Sequence, residues 1–305
     1  MPDPAANRVL TGVTPESVLG KTSSGRRRKD VLARGMIALL TAVALVPLIL
    51  ILFFLVKKGA GALSVNFFTT DPTGSYFGDP GGIRSAIVGS IEIMLLATAI
   101  AVPIGIGVAL YLTEYARDSR FGGSIRFLMD VLTGVPSIMF GLFIYITLVL
   151  SGIGGGFAGW KGSLALAILM LPIVERSVEV ALLQVPPAYG EAGFAVGAAR
   201  WQVILKVVLP AALPGILTGA LLAVARATGE TAPLLFTAAI AKDTTFNLGA
   251  QMNSLPAQIF SDVGQAQNRL VERAWGAALT LVVMILLLNL GSRWIARRSA
   301  AGGGA

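Results

Sequence analysis

The sequence predicts an all-α polytopic membrane protein with six transmembrane helices, and three observations carry that prediction. Of 305 residues, 55% are hydrophobic and only 13% are charged, about half the roughly 25% of an ordinary soluble domain. Six apolar segments run for about 20 residues or more, the length that an α-helix needs to cross a bilayer. The basic residues are also divided unevenly between alternate connecting segments, which fixes an orientation. The chain contains neither His nor Cys. That removes disulfides, thiolate chemistry, His-ligated metals and Ser/His or Cys/His catalysis. A formal net charge of +8 suits an anionic neighbour.

Residues 1–35 carry Arg8, Lys21, Arg26, Arg27, Arg28, Lys29 and Arg34 among Pro, Ser, Thr and Gly, without periodicity. They read as a disordered basic tail. Such a cluster fixes topology and touches membrane lipid at about 1 kcal/mol per basic residue; it has no aromatic interleaving that would indicate nucleic acid. Residues 36–56 form the first span, longer than a signal-peptide core and without a small-residue cleavage site. Residues 57–82, rich in Gly, Pro, Asp and Thr, are an extracytoplasmic loop.

A core over residues 83–295 holds five more apolar segments, at 83–112, 127–150, 162–185, 211–240 and 274–295. The second and fifth spans exceed what a bilayer needs, so they tilt or extend beyond it. Residues 296–305 form a short C-terminal tail. With the N-terminus inside, fifteen basic residues fall on the inner side and seven on the outer side (Lys57, Lys58, Arg84, Lys161, Lys242, Arg269 and Arg273), which places both termini in the cytoplasm. Arg176 and Arg226 remain, inside predicted spans.

Charge in a span costs roughly 2.5 to 3.5 kcal/mol at the helix centre and normally faces a bundle interior or a wet path. Glu92, Asp130, Glu175, Arg176, Glu179, Arg226 and Glu230 lie in or at the ends of the apolar segments. Arg226 and Glu230 stand at i and i+4, Arg176 and Glu179 at i and i+3, so each pair can meet on one helix face. Glu175 and Glu179 repel unless one is neutralised. Two readings stand: structural ion pairs that lock helices together, or a path on which the arginines meet an oxyanion while the glutamates hold them. Arg suits the second because its planar fork matches a tetrahedral oxyanion and keeps its charge. Gly and Pro within the spans, such as Pro103, Gly134, Pro136, Pro172, Pro214, Gly229 and Pro233, mark kinks and close helix contacts. In the outer segment 241–273, Gln251, Asn253, Gln258 and Gln265 either contact a binding protein or cap the spans.

The segment 184–210 carries the strongest local pattern. It contains two short helical pieces broken near Gly197, and Phe194, Trp201, Ile204, Leu205 and Val208 are expected to form one apolar stripe, as on a helix that docks a partner or lies on lipid. Glu191, Ala192, Gly197, Leu209 and Pro210 fall at the spacing of the coupling-loop motif E-A-A-x3-G-x9-I-x-L-P, with Gly193 in place of the third residue and Val207 in place of the Ile. On these residues the chain resembles the permeases of type I ABC importers. The resemblance implies that Glu191, Ala192, Gly193, Gly197, Leu209 and Pro210 form a cytoplasmic coupling helix seated on an ATPase subunit.

Three further stretches, 135–143 (VPSIMFGLF), 171–177 (LPIVERS) and 225–237 (ARATGETAPLLFT), are similar to the second permease subunit of phosphate-specific ABC importers. That resemblance, over residues 83–293, implies a bacterial inner-membrane location and a substrate path through Arg176, Arg226 and Glu230, flanked by Glu175 and Glu179. It also implies a homologous second permease subunit, two ATPase subunits that bind ATP and Mg, and an extracytoplasmic phosphate-binding protein. The chain has no G-x-x-x-x-G-K-[ST] stretch, so energy is expected from another polypeptide and no cofactor from this one. Competing readings are a permease for sulfate or phosphonate, a proton-coupled secondary transporter, and an intramembrane carboxylate enzyme.

Overall fold

The computed structural model describes the backbone of residues 24–75 and 78–302, with side chains over 28–75 and 78–291. Most of the basic tail expected to be disordered, and the side chains of Arg293, Arg297 and Arg298, lie outside the described residues. Among the described residues all regular structure is helical, apart from an isolated bridge between Pro72 and Gly81. The chain divides into two units, residues 1–54 and 55–305.

The first unit contains most of helix α1 (Ser24–Gly59). The helix begins in the basic segment, ahead of the apolar run, with an exposed Arg34–Asp30 pair at 3.7 Å. From Val31 to Phe54 its large apolar side chains are exposed, as lipid-facing residues of a span are.

In the second unit, a short helix α2 (Val65–Thr69) is capped by Ser64, whose Oγ accepts from the Phe67 amide at 3.1 Å. Helix α3 (Arg84–Leu110) runs on through a π-helical turn at Tyr111–Tyr115. Then follow α4 (Arg120–Gly134), α5 (Ser137–Ile144) with a π turn at Tyr145–Val149, and α6 (Gly159–Leu183). Two short helices, α7 (Pro187–Ala195) and α8 (Arg200–Val203), lead through another π turn into α9 (Leu209–Thr228). The chain finishes with α10 (Ala232–Thr237), α11 (Leu255–Val263) and α12 (Asn268–Gly302).

Among the described residues four helices are long and apolar enough to cross a membrane, Arg28–Ala62, Arg84–Tyr115, Arg200–Thr228 and Asn268–Gly291, and α4 with α5, bent by 102°, makes a fifth if the pair is taken as one span. The count of six spans expected from hydropathy is not matched by helices of this kind among the described residues, for three physical reasons, two of them at the Gly and Pro positions where kinks are expected. Segment 127–150 breaks at Val135, which is extended because it precedes Pro136. Segment 211–240 breaks after Thr228, where Gly229 ends α9 and a separate helix follows. Helix α6 is long enough, at 25 residues, but is less apolar because it carries Lys161, Glu175, Arg176 and Glu179. Most of α6 is buried by neighbouring helices, so protein rather than lipid surrounds many of its polar groups.

Small residues allow that burial. On α3, Ala97, Ala101, Gly105 and Ala109 recur every fourth position and are all buried. A Cβ on Gly105 would stand 2.7 Å from Val174 Cγ1 of α6. From the other side α9 offers Ala212, Gly219, Ala223 and Ala227, and a Cβ on Gly215 would meet Ala181 Cβ at 2.6 Å. Close backbone approach of this kind drives association where no water is present to favour apolar contact. The start of α6 is tied down equally well. The amides of Ala158, Gly159 and Trp160, which precede or open the helix, donate to the carbonyls of Thr237, Ala250 and Leu248 at 3.0, 2.9 and 2.9 Å. Donors that a helix N-terminus leaves free are thus satisfied by backbone from α10 and the segment after it.

Candidate anion path and coupling loop

The charged groups expected along the path separate into a cluster and two residues apart from it. On α6, Glu175 and Glu179 lie one turn apart and both are buried, 2% and 4% exposed. The expected pair forms: Arg176 Nη1 donates to Glu179 Oε2 at 3.0 Å. Arg176 is nonetheless 66% exposed in its side chain, because it leaves the buried face of α6. Glu179 takes a second arginine as well. Arg126 of α4 donates through Nε to Glu179 Oε1 at 2.9 Å and through Nη2 to the Leu112 carbonyl at 2.9 Å. Its Nη1 reaches the Arg117 carbonyl at 3.3 Å. Arg126 thereby joins α4, α6 and the π turn that ends α3. Glu175, by contrast, has a buried Oε1 with no hydrogen-bond partner.

Arg226 and Glu230 do not form the ion pair that their spacing suggested. Helix α9 ends at Thr228 and its last turn is closed by the Gly229 amide, so Glu230 lies past the helix end, where i,i+4 neighbourhood no longer applies. Arg226 is exposed and Glu230 half-buried. Glu92 on α3 is half-buried, with Oε2 unpartnered. By sequence Arg126 falls in an inner connecting segment, and its place at the edge of an apolar run is the only signal there of another use.

The residues expected to form the coupling loop are divided between α7, its closing turn at Gly197 and the start of α9; Glu191, Ala192, Gly197 and Pro210 are exposed, and Gly193 and Leu209 are half-buried. Pro187 opens α7 at a first-turn position, where a missing amide costs nothing. The helix is closed by Gly197, whose φ of +82° lies in the left-handed region that Gly enters without a Cβ penalty. The Gly197 and Ala198 amides then donate to the Phe194 and Gly193 carbonyls at 2.9 and 3.2 Å. Gly193 has its own reason: a Cβ there would lie 2.8 Å from Val203 Cγ2 of α8. Replacement of Ala by Gly in the motif therefore matches a closer contact between α7 and α8.

Glu191 and Ala192 are exposed on α7, while Leu209 and Pro210 begin α9. The single apolar stripe expected here divides in two. Ile204 and Val208 are buried, 4% and 8% exposed, whereas Phe194, Trp201 and Leu205 are at least half exposed. Phe194 belongs to α7, before the break at Gly197, and the π turn at Ile204–Val208 changes the angular step beyond Trp201, so residues meant for one face separate. A cleft of ≈ 250 Å³ lies beside α7, with Glu114, Arg117, Leu183, Pro187, Glu191 and Phe194 among its walls. Arg200 stands over the Tyr115 ring at 4.8 Å and ties α8 to the end of α3.

A polar network organises the other charged region. Asn253 and Gln258, 1% and 3% exposed, lie inside the fold and serve the cap rather than a partner's surface. Asn253 Nδ2 donates to Gln258 Oε1 at 2.7 Å, and Gln258 Nε2 to both Asp262 oxygens at 2.9 Å. Gln251 is exposed, and Gln265 Nε2 donates to the Ser261 carbonyl at 2.9 Å. Lys161, counted by sequence as an outer cation, is fully buried; its Nζ donates to the carbonyls of Leu148, Gly155 and Gly156 at 3.0, 2.6 and 2.7 Å.

Residues 101–301 match the family described as binding-protein-dependent transport system inner membrane component. The chain is 40% identical over 268 residues to the phosphate transport system permease protein PstA of Haemophilus influenzae, covering 88% of this chain and 94% of the relative. It is 36% identical over 291 residues to the PstA of Mycobacterium leprae, covering 93% and 95%. Among solved structures, a chain from a bacterial alginate ABC transporter in complex with alginate pentasaccharide-bound periplasmic protein superposes with a TM-score of 0.64 at 16% identity, covering 89% of this chain and 96% of that one. A chain of the inward-facing MetNI methionine ABC transporter gives 0.57 at 19% identity, covering 72% and 94%. At these identities the solved structures speak to the fold alone.

Proposed function

The chain belongs to the binding-protein-dependent transport system inner membrane component family, and from that membership we infer that it is the permease subunit of an ATP-driven inorganic phosphate importer. One observation carries the substrate: the relatives named phosphate transport permeases match at 34–40% identity over most of both chains. The chain is a multi-pass membrane component of a transport complex and not a catalytic enzyme. Sulfate and phosphonate permeases are the less favoured reading.

In the complex as we propose it, the chain forms half of the translocation path beside a homologous second permease and rests on two ATPase subunits that bind ATP and Mg. An extracytoplasmic binding protein delivers phosphate. The exposed α7 with Glu191, Ala192 and Phe194, ended at Gly197 and close to α8 where Gly193 faces Val203, supports seating on an ATPase. Both termini are cytoplasmic, on the inner excess of basic residues. Arg176 and Arg226 meet the anion in turn, because both guanidinium groups are exposed on the fold while the acids beside Arg176 are buried. Glu175, Glu179 and Glu230 keep the empty path near neutral, so that the anion is released as well as bound.

The test is ATP-dependent uptake of radiolabelled phosphate by the complete complex in vesicles, with sulfate and phosphonate as competitors. Phosphate uptake that requires ATP and resists both competitors is expected. Uptake driven by a proton gradient without ATP would overturn the reading.

A further inference from the structure

The path cluster contains one more arginine than the path uses. Arg126 is held rigidly: two of its three hydrogen bonds end on backbone carbonyls, of Leu112 and Arg117, and its side chain is 29% exposed against 66% for Arg176. Its third bond takes Glu179 Oε1, while Arg176 holds only Oε2. A lone arginine beside a buried carboxylate tends to close on both oxygens as a fork, which uses two of its donors. Arg176 makes no such fork here: its Nη1 bonds Oε2 alone, and Arg126 competes with it for the carboxylate by holding Oε1. The charges point the same way. Arg126 and Arg176 share the buried carboxylate of Glu179; without Arg126 that carboxylate would draw Arg176 in as its sole cation.

We propose that Arg126 is a positioning residue of the anion path, which occupies one oxygen of Glu179 so that Arg176 is held by a single hydrogen bond and presents its remaining donors outward. Arg126 itself does not touch the substrate. The proposal rests on reading Arg176 as a path residue, and the experiment separates the two.

The complete complex is reconstituted with Arg126→Gln, Arg126→Lys, Arg176→Gln and the double variant Arg126→Gln with Glu179→Gln. Phosphate uptake, recovery of the complex and its thermal unfolding are measured for each. Arg126→Gln is expected to lower uptake about tenfold while the complex is still recovered, as when a group that meets the substrate is misplaced. The double variant restores most of that loss, because it rebalances charge and the amide oxygen introduced by Glu179→Gln still accepts one hydrogen bond from Arg176. Arg126→Lys falls between, since an ammonium keeps the charge but not the planar set of donors. The proposal is overturned by unchanged uptake in Arg126→Gln, by a double variant as poor as the single, or by loss of assembly that Glu179→Gln does not repair. Full uptake in Arg176→Gln would overturn the path reading itself.

Discussion

Arg273 grips Asp262 with two donors, Nε at 2.7 Å from Oδ2 and Nη2 at 2.9 Å from Oδ1, and both side chains are buried. Arg273 Nη1 also donates to the Pro80 carbonyl. The pair therefore joins the start of α12, the end of α11 and the segment before α3. Arg273→Met leaves Asp262 charged and held only by Gln258, and removal of one partner of a buried pair costs about 3 kcal/mol. A clear fall in the unfolding temperature of the complex in detergent is expected. Asp262→Asn with Arg273→Met should recover part of it, which calorimetry on the three variants checks.

Lys161 acts as an internal cation for the glycine-rich connection between α5 and α6, where it gathers three carbonyls on one ammonium. Lys161→Met should destabilise the protein by roughly 3 kcal/mol, since buried acceptors are left unmatched and bonds to a charged donor are lost. Hydrogen exchange should rise first in residues 150–158. Equal protection in the variant would show that the connection is held by other contacts, such as the Tyr145–Phe157 stack.

Gly193 and Gly197, at the two ends of the turn between α7 and α8, should respond differently to substitution. Gly197 has open space around its missing Cβ, so Gly197→Ala meets only the left-handed backbone penalty, about 1 to 2 kcal/mol. Gly197→Asn should be milder, because Asn enters that region more readily. Gly193→Ala meets Val203 instead, and Val203→Ala should relieve it. Uptake and ATPase recovery are measured on the three single glycine variants and on Val203→Ala combined with Gly193→Ala and with Gly197→Ala; relief of Gly197→Ala by Val203→Ala would contradict the assignment.

Substitutions of the motif and path arginines should fail at different stages. Glu191→Lys is expected to lower co-purification of the ATPase along with uptake. Arg176→Gln and Arg226→Gln should cut uptake by about tenfold or more while the complex still assembles, as expected when a charge acts on a passing anion. Assembly lost with Arg226→Gln would instead favour a structural role, which the missing Arg226–Glu230 pair does not support.

Much of this is legible in the residues. Hydropathy locates the apolar segments, and the motif from Glu191 to Pro210 marks the segment from α7 to the start of α9 and its break at Gly197, because both depend on local spacing. The Arg176–Glu179 pair is also readable, since three residues within one unbroken helix place side chains together. The same rule fails for Arg226 and Glu230, where the helix stops between them. Arg126 is not readable as a partner of Glu179, because the two lie 53 residues apart and only packing of α4 on α6 unites them.

Sequence by itself determined that this chain lies in a membrane, which of its segments are apolar, and which family motif it carries, because composition, run length and spacing are properties of consecutive residues. Only the tertiary structure shows that α6 can bury two glutamates, and that Lys161 and Arg273 serve the interior rather than the surface. The physical reason is that a charge is tolerated or expelled according to what surrounds it. Those surroundings come from helices distant in the chain, brought close by the small residues of α3 and α9.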